Sequence, residues 1–332
     1  MIKDDVTDTS VTLKEVARLA GVAPITVSRV INHQNSVKEE TREKVKKAMA
    51  ELKYIPNVAA RNLITRKSRI IDIYIPENIE LTDPFMMQFI AGASEALSRH
   101  MYSFLILRSR KTEHICDGYI VTGILRNEIF EFYEYAKERK RSIALFGHTD
   151  IVDVDCIDVD NISGAKSGVG YLIQRGHRSI AMLNIAEDKD YVRDRQEGYR
   201  QAMEESGCGY DPSNVFFCTN QVQSGYETAR EILKKNRYTA FFCATDTIAV
   251  GVENAIAECG LRVPEDISVM GYDGLGHHLL GTPRLTTVKQ PVYEIGVMLA
   301  QTLINRLEKQ EGRTCRLLQT ELLMGRSVKK AE

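Results

Sequence analysis

The sequence predicts an all-α helix-turn-helix domain at the N-terminus, followed by an α/β body of doubly wound parallel sheets arranged as two lobes. Three observations carry this expectation. Residues 11–55 fit three short helices, and from residue 70 onward strand-like and helix-like segments alternate, the pattern of parallel sheets covered by helices. The charge is also divided. Between residues 11 and 69 there are 13 Lys and Arg against five acids, net +8, in a chain of 332 residues whose overall net charge is -1. A basic head therefore joins an acidic body.

Residues 1–10, MIKDDVTDTS, show no apolar periodicity and read as a disordered tail. Thr12 with Glu15 three residues later makes a capping box ahead of Leu13, Val16, Ala17 and Ala20, which repeat at helical spacing, and Gly21 stops that helix. A second helix begins with Pro24 in its first turn and turns Val27, Val30 and Ile31 inward. A third runs over about 39–52, with Val45, Ala48, Met49 and Leu52 on one face. Residues 56–69 hold Ala59, Ala60, Leu63 and Ile64 but little else to bury, so they read as a hinge, a marginal helix or linker.

In the body, the apolar runs predict strands at 70–75, 104–107, 119–122, 142–146, 179–183, 215–218, 240–244, 267–272, 286–289 and near 316–322. Helices are expected near 85–99, 127–139, 163–175, 193–206, 224–235, 247–258 and 291–308. So many strands fit two subdomains better than one sheet. The first lobe is assigned residues 70–161 and 291–320, the second 162–290 and 321–332. Only residues 108–116 separate the second strand from the third, fewer than the dozen or so a helical crossover requires. The first lobe should lack a covering helix there and expose an apolar face.

Several classes are disfavoured. No apolar stretch approaches the roughly 18 residues of a membrane span, and the acidic start lacks the features of a signal peptide, so a cytoplasmic location without a membrane partner is expected. The seven cysteines are odd in number and scattered, with no C-x-x-C pair, which points to neither a disulfide framework nor a metal site. No G-x-S-x-G, H-E-x-x-H or Walker loop occurs, so neither catalysis nor a cofactor is expected.

Ala17, Gly21, Val27 and Val30 form the internal skeleton of a helix-turn-helix, and the outer face of its second helix offers Pro24, Ile25, Thr26, Ser28 and Arg29. Residues 11–69, beginning VTLKEVARLAGVAPITVSRVIN, resemble the DNA-binding head and hinge of the lac repressor family of bacterial transcription regulators. The resemblance continues through DPF (83–85), the R-x-x-G of Arg195 to Gly198, ATDTIAVG (244–251), PEDISVMGYD (264–273) and LTTVKQP (285–291).

That resemblance implies a periplasmic-binding-protein-like body, and a homodimer that binds a near-palindromic double-stranded DNA operator as a repressor. It also implies a small-molecule effector, a sugar or sugar derivative, between the lobes. Carried over, Pro24, Ile25 and Arg29 become base readers, Thr26, Ser28 and Asn57 phosphate or groove contacts, and Leu63 a wedge in the minor groove. Asp83, Phe85, Arg195, Asp246 and Asp273 become effector contacts. The chemistry agrees: Arg donates twice to guanine, whereas Pro24 and Ile25 offer only apolar contact, as with a thymine methyl.

Asp246 has a second reading as a helix N-cap, and Arg195 as a solvated helix charge. Three departures stand out: Ala23 where the family places serine, Thr245 where it places asparagine, and no tryptophan in the chain, with Asn220 near the position where some sugar-binding relatives stack an aromatic ring. Control by a partner protein or by a non-sugar metabolite such as a nucleoside or purine is the alternative reading. An enzyme or transport-type binding protein is a more distant one.

Overall fold

A computed structural model describes residues 11–32, 37–54, 67–111, 114–235, 238–276, 284–309 and 312–331. The chain forms two compact units, Met1–Ser68 and Arg69–Glu332. The expected tail 1–10 and most of the hinge, 55–66, lie outside the described residues.

The first unit holds α1 (Leu13–Ala20), α2 (Pro24–Asn32) and α3 (Glu39–Glu51). The Glu15 carboxylate accepts from the backbone N–H of Thr12 at 2.7 Å and from its hydroxyl at 2.9 Å, which ties down the start of α1. Gly21 ends that helix in the left-handed region at φ +66°, where a side chain would be strained. Val16, Ala17, Val27, Val30, Val45 and Ala48 are all buried where the three helices meet.

In the second unit the chain lays down β1 (Ile70–Tyr74), β2 (Ser103–Leu107), β3 (Gly118–Val121), β4 (Ser142–Phe146) and β5 (Val154–Val159), then β6 (Ile180–Ile185), β7 (Val215–Cys218), β8 (Ala240–Cys243), β9 (Ser268–Asp273) and β10 (Thr286–Lys289). It returns with β11 (Cys315–Leu318) and β12 (Glu321–Leu323). The strands form two six-stranded sheets, ordered β11-β5-β4-β3-β1-β2 and β12-β10-β9-β8-β6-β7. All pairings are parallel except β10 with β12.

The helices are α4 (Pro84–Arg99), α5 (Glu128–Glu138), α6 (Asn161–Gln174), α7 (Asp190–Glu205), α8 (Val222–Leu233), α9 (Asp246–Glu258) and α10 (Val292–Lys309). On the first sheet, α4 and α10 bury Phe89, Leu97, Leu299 and Leu303 against Ile71 and Ile73. Its other face packs Tyr119, Val121, Ile143 and Leu145 under Phe132 and Ala136 of α5. The second sheet is covered in the same way, by α8 and α9 around Phe241, Ile248 and Val252, and by α6 and α7 around Val169, Tyr199 and Met270.

The short link behaves as its length requires. Strands β2 and β3 flank β1, with Ile71 opposite both Phe104 and Gly118, and the described residues between them contain no helix. Leu105 is 47% exposed and Ile106 37%. The link instead lays His114 over the strand, with Nε2 2.7 Å from Oδ1 of the buried Asp72.

Two elements differ from the sequence expectation. Strand β5 was not anticipated, because VDCIDV carries two acids; both are buried, and Asp155 is held by the Arg306 guanidinium through bonds of 2.6 and 2.9 Å. The single strand expected near 316–322 is two short ones, β11 in the first sheet and β12 in the second, with the chain crossing between sheets at Gln319 and Thr320.

Candidate functional site

The outer face of α2 is the first candidate surface. Pro24, Ile25 and Arg29 are exposed while Thr26 and Ser28 are half-buried, and Ile25 reaches 60% exposure beside the buried Val27 and Val30. Ala23 supplies no capping side chain, and its carbonyl accepts from the N–H of Thr26 at 2.8 Å to close the first turn. A protruding isoleucine and an exposed arginine on one short helix suit a surface that reads base edges. Asn57 and Leu63 lie outside the described residues.

The second candidate lies at the carboxyl ends of the strands, where doubly wound sheets place their ligands. Arg195 on α7 is 3% exposed, which removes the reading of it as a solvated helix charge. Its Nε donates to Asn161 Oδ1 at 3.0 Å, and Nη1 donates to the Ala244 carbonyl and faces Asp273 Oδ1 at 3.5 Å. The guanidinium lies between two rings, 3.8 Å from the Tyr272 centroid and 4.9 Å from that of Tyr191, an arrangement that fixes its plane.

Asp246 is buried at the first turn of α9, but it is not the cap. Thr245 takes that place, its hydroxyl accepting from the N–H of Ile248 at 3.1 Å and donating to Asn220 Oδ1 at 2.7 Å. The Asp246 carboxylate accepts instead from Gly274 N at 3.0 Å and from the Thr287 hydroxyl at 2.5 Å. Gly271 makes room for it, since a Cβ there would lie 2.3 Å from Asp246 Oδ1.

Asp273 ends β9 at φ +116°, a conformation that side-chain-bearing residues rarely adopt, and its Oδ1 accepts from Gln290 Nε2 at 2.6 Å. Backbone strain of this kind collects at ligand sites. Burial pushes the Asp246 and Asp273 carboxyls up, with the Arg195 charge opposing the shift. Asp158 is pushed up to about 7, also by burial, and the neighbouring Asp194 is raised as well. Lys189 is paired with Glu187 at 2.6 Å. The region is acid-rich, and carboxyls sharing few protons there can accept from hydroxyls or, when neutral, donate to them.

The structure thus brings Arg195, Asp246 and Asp273 together. Asp83 spends one carboxylate oxygen capping α4, accepting from Phe85 N at 2.8 Å, and its charge bears on Asp273 from the first lobe. Phe85 stacks on Phe146 with centroids 5.3 Å apart, half-buried at the edge of the first core. Asn161, Gln290, Tyr191, Tyr272 and Asp158 were not read from the sequence. Asn161 and Asp158 follow from β5, and without that strand neither had a place in the fold.

Comparison with known proteins gives two family matches. Residues 12–57 match bacterial regulatory proteins of the lacI family, and residues 169–328 match a periplasmic binding protein-like domain. An uncharacterized HTH-type transcriptional regulator of Bacillus subtilis (strain 168), YvdE, is 37% identical over 300 residues, spanning 90% of this chain and 93% of its own length. The structure of a transcriptional regulator CelR–cellobiose complex superposes with a TM-score of 0.73 at 30% identity, covering 96% of this chain and 99% of the other. The lac repressor dimer bound to operator and the anti-inducer ONPF superposes with a TM-score of 0.82 at 26% identity, covering 97% and 100%.

Proposed function

The chain belongs to the lacI family of bacterial regulatory proteins and is a DNA-binding transcriptional regulator, and from that premise we propose that it represses as a homodimer on a near-palindromic operator and is released or engaged by a neutral, hydroxyl-rich effector. The observation that carries the effector reading is the buried Arg195 guanidinium, held between Asn161 at the exit of β5 and Asp273 at the end of β9. A ligand that competes for those hydrogen bonds alters how the lobes are joined, and its preference for one arrangement over another biases DNA binding.

The acid-rich surroundings favour a sugar over a phosphorylated or carboxylate ligand, since an anion would meet Asp158, Asp194, Asp246 and Asp273 while Arg195 already faces Asp273 and Lys189 is paired with Glu187. Cellobiose in the CelR structure is a ligand of this neutral class. In this reading Asp83, Phe85, Arg195, Asp246 and Asp273 contact the effector. On α2, Pro24, Ile25 and Arg29 read bases, Thr26, Ser28 and Asn57 touch the backbone, and Leu63 enters the minor groove.

Work on DNA places the protein in the cytoplasm in this reading, and among the described residues no helix is long and apolar enough to cross a membrane. The reading is tested by footprinting on the DNA upstream of its own gene, combined with a thermal-shift screen of neutral mono- and disaccharides, sugar phosphates, nucleosides and purines. Protection of a two-fold symmetric site, together with a neutral sugar that raises Tm and alters protection, is expected. A sugar phosphate or purine as the stabilising ligand would overturn the effector class.

A further inference from the structure

Three side chains remote in sequence converge where β4, β5 and β11 run side by side. Cys315 opens β11 and lies directly opposite Cys156 in the parallel ladder with β5, while His148 follows the end of β4. One ring nitrogen of His148 and the two sulfur atoms all lie within 4.8 Å of one another, and among the described residues this is the group of His, Cys, Asp and Glu side chains so placed. His148 and Cys315 are exposed and Cys156 is buried beneath them, so an arriving ion meets two ligands at the surface before the third.

We propose that His148, Cys156 and Cys315 bind a thiophilic d10 cation of the zinc(II) type, with a fourth position left to water. The ligand set is the soft one such ions select, two thiolates and an imidazole. With Zn–S of about 2.3 Å and Zn–N of about 2.0 Å, a tetrahedral site needs ligand atoms about 3.4 to 3.8 Å apart, so side-chain rotations of about 1 Å close it.

Two charged side chains lie beside the cluster. Arg313 Nη2 lies 3.8 Å from Cys156 Sγ, and Nε of the same guanidinium is anchored on the Val154 carbonyl at 3.0 Å. Burial and the neighbouring Cys315 push the Cys156 thiol up to about 11 while the Arg313 guanidinium opposes the shift, so a bound cation would have to displace that proton. The exposed Asp150 carboxylate lies 3.7 Å from His148 Nε2, beyond hydrogen-bond distance.

Both cysteines are free, and the spacing of about 4.8 Å between neighbouring strands falls within the Cα separation that a disulfide accepts, so the experiment must distinguish a shared ion from a sulfur–sulfur bond.

The test uses the full chain, reduced and freed of metal with a chelator. Cadmium is titrated while thiolate-to-metal charge-transfer absorbance is followed, and zinc is titrated in competition with a chromophoric chelator. A single tight equivalent with the charge-transfer band is expected. Cys315→Ser and His148→Gln, both at exposed positions, should each weaken binding by about tenfold or more and leave thermal unfolding of the metal-free chain unchanged. Cys259→Ser, at an exposed cysteine elsewhere, should change neither. Absence of the band, binding that survives either of the first two substitutions, or a chain that oxidises to a Cys156–Cys315 disulfide and takes up no cation would overturn the assignment.

Discussion

Arg195 Nε donates to Asn161 Oδ1 at 3.0 Å, while Asn161 Nδ2 donates to the Val159 carbonyl at 3.1 Å. One buried amide therefore ties the α7 guanidinium to the end of β5, where the chain leaves the first sheet. Losing this acceptor frees Arg195 to shift away from Asp273. Asn161→Ala should lower effector affinity by about tenfold, leave operator affinity unchanged without effector, and reduce stability by about 1–3 kcal/mol. Calorimetric titration of the effector measures the first effect, and an unchanged effector affinity would show that Asn161 only packs.

Arg29 stands on the exposed face of α2. Arg29→Ala should lower affinity for the operator by about 1–3 kcal/mol and relax selectivity at one base pair per half-site. Equal losses on operator and random DNA, measured by gel shift at fixed salt, would make Arg29 a phosphate contact instead.

Ala23 precedes α2 without a capping side chain, and its carbonyl closes the first turn. Ala23→Ser adds a hydroxyl that can accept from the N–H groups of that turn, which should stabilise the head by about 0.5–1 kcal/mol. Thermal unfolding followed by circular dichroism reads the gain, and a lower Tm would show that the hydroxyl is sterically excluded.

Burial pushes the Asp158 carboxyl up to about 7 from its ordinary 3.8. The folded chain holds a proton there that the unfolded chain releases, so stability falls as pH rises between those values, by up to about 1.4 kcal/mol per unit, and levels off above them. Asp158→Asn cannot ionise but keeps the oxygen that accepts from Val159 N at 2.8 Å. The variant should therefore gain on the wild type from about pH 5 to about pH 7 in urea unfolding. A difference that stays constant over that range would contradict the buried neutral carboxyl.

The parts legible in the sequence are those whose signal is local. Ala17, Gly21, Val27 and Val30 lie within one helical hairpin, so their spacing alone defines the turn and its core. The alternation of strands and helices was equally plain wherever a strand was uniformly apolar, as in AFFC of β8. Strand β5 escaped because Asp155 and Asp158 interrupt its apolar pattern, and their burial depends on Arg306 and on neighbours far along the chain. Arg195, Asp246 and Asp273 were reached through family motifs, whereas Asn161 and Gln290 become visible only when both sheets are in place. The His148, Cys156 and Cys315 cluster was hidden for the same reason, since a parallel ladder between distant strands brings them together.

In the proposed function two separable sites act, a head that reads DNA and the Arg195 guanidinium that senses the effector. Arg195→Lys keeps the charge but cannot reproduce the forked hydrogen bonds to Asn161, Ala244 and Asp273. Operator affinity of wild type and variant, measured with and without the stabilising sugar, tests the separation most directly. Without sugar the two should agree within about twofold; with sugar the wild type should shift by about tenfold or more while the variant stays unmoved. A variant that responds to the sugar as the wild type does would contradict the account.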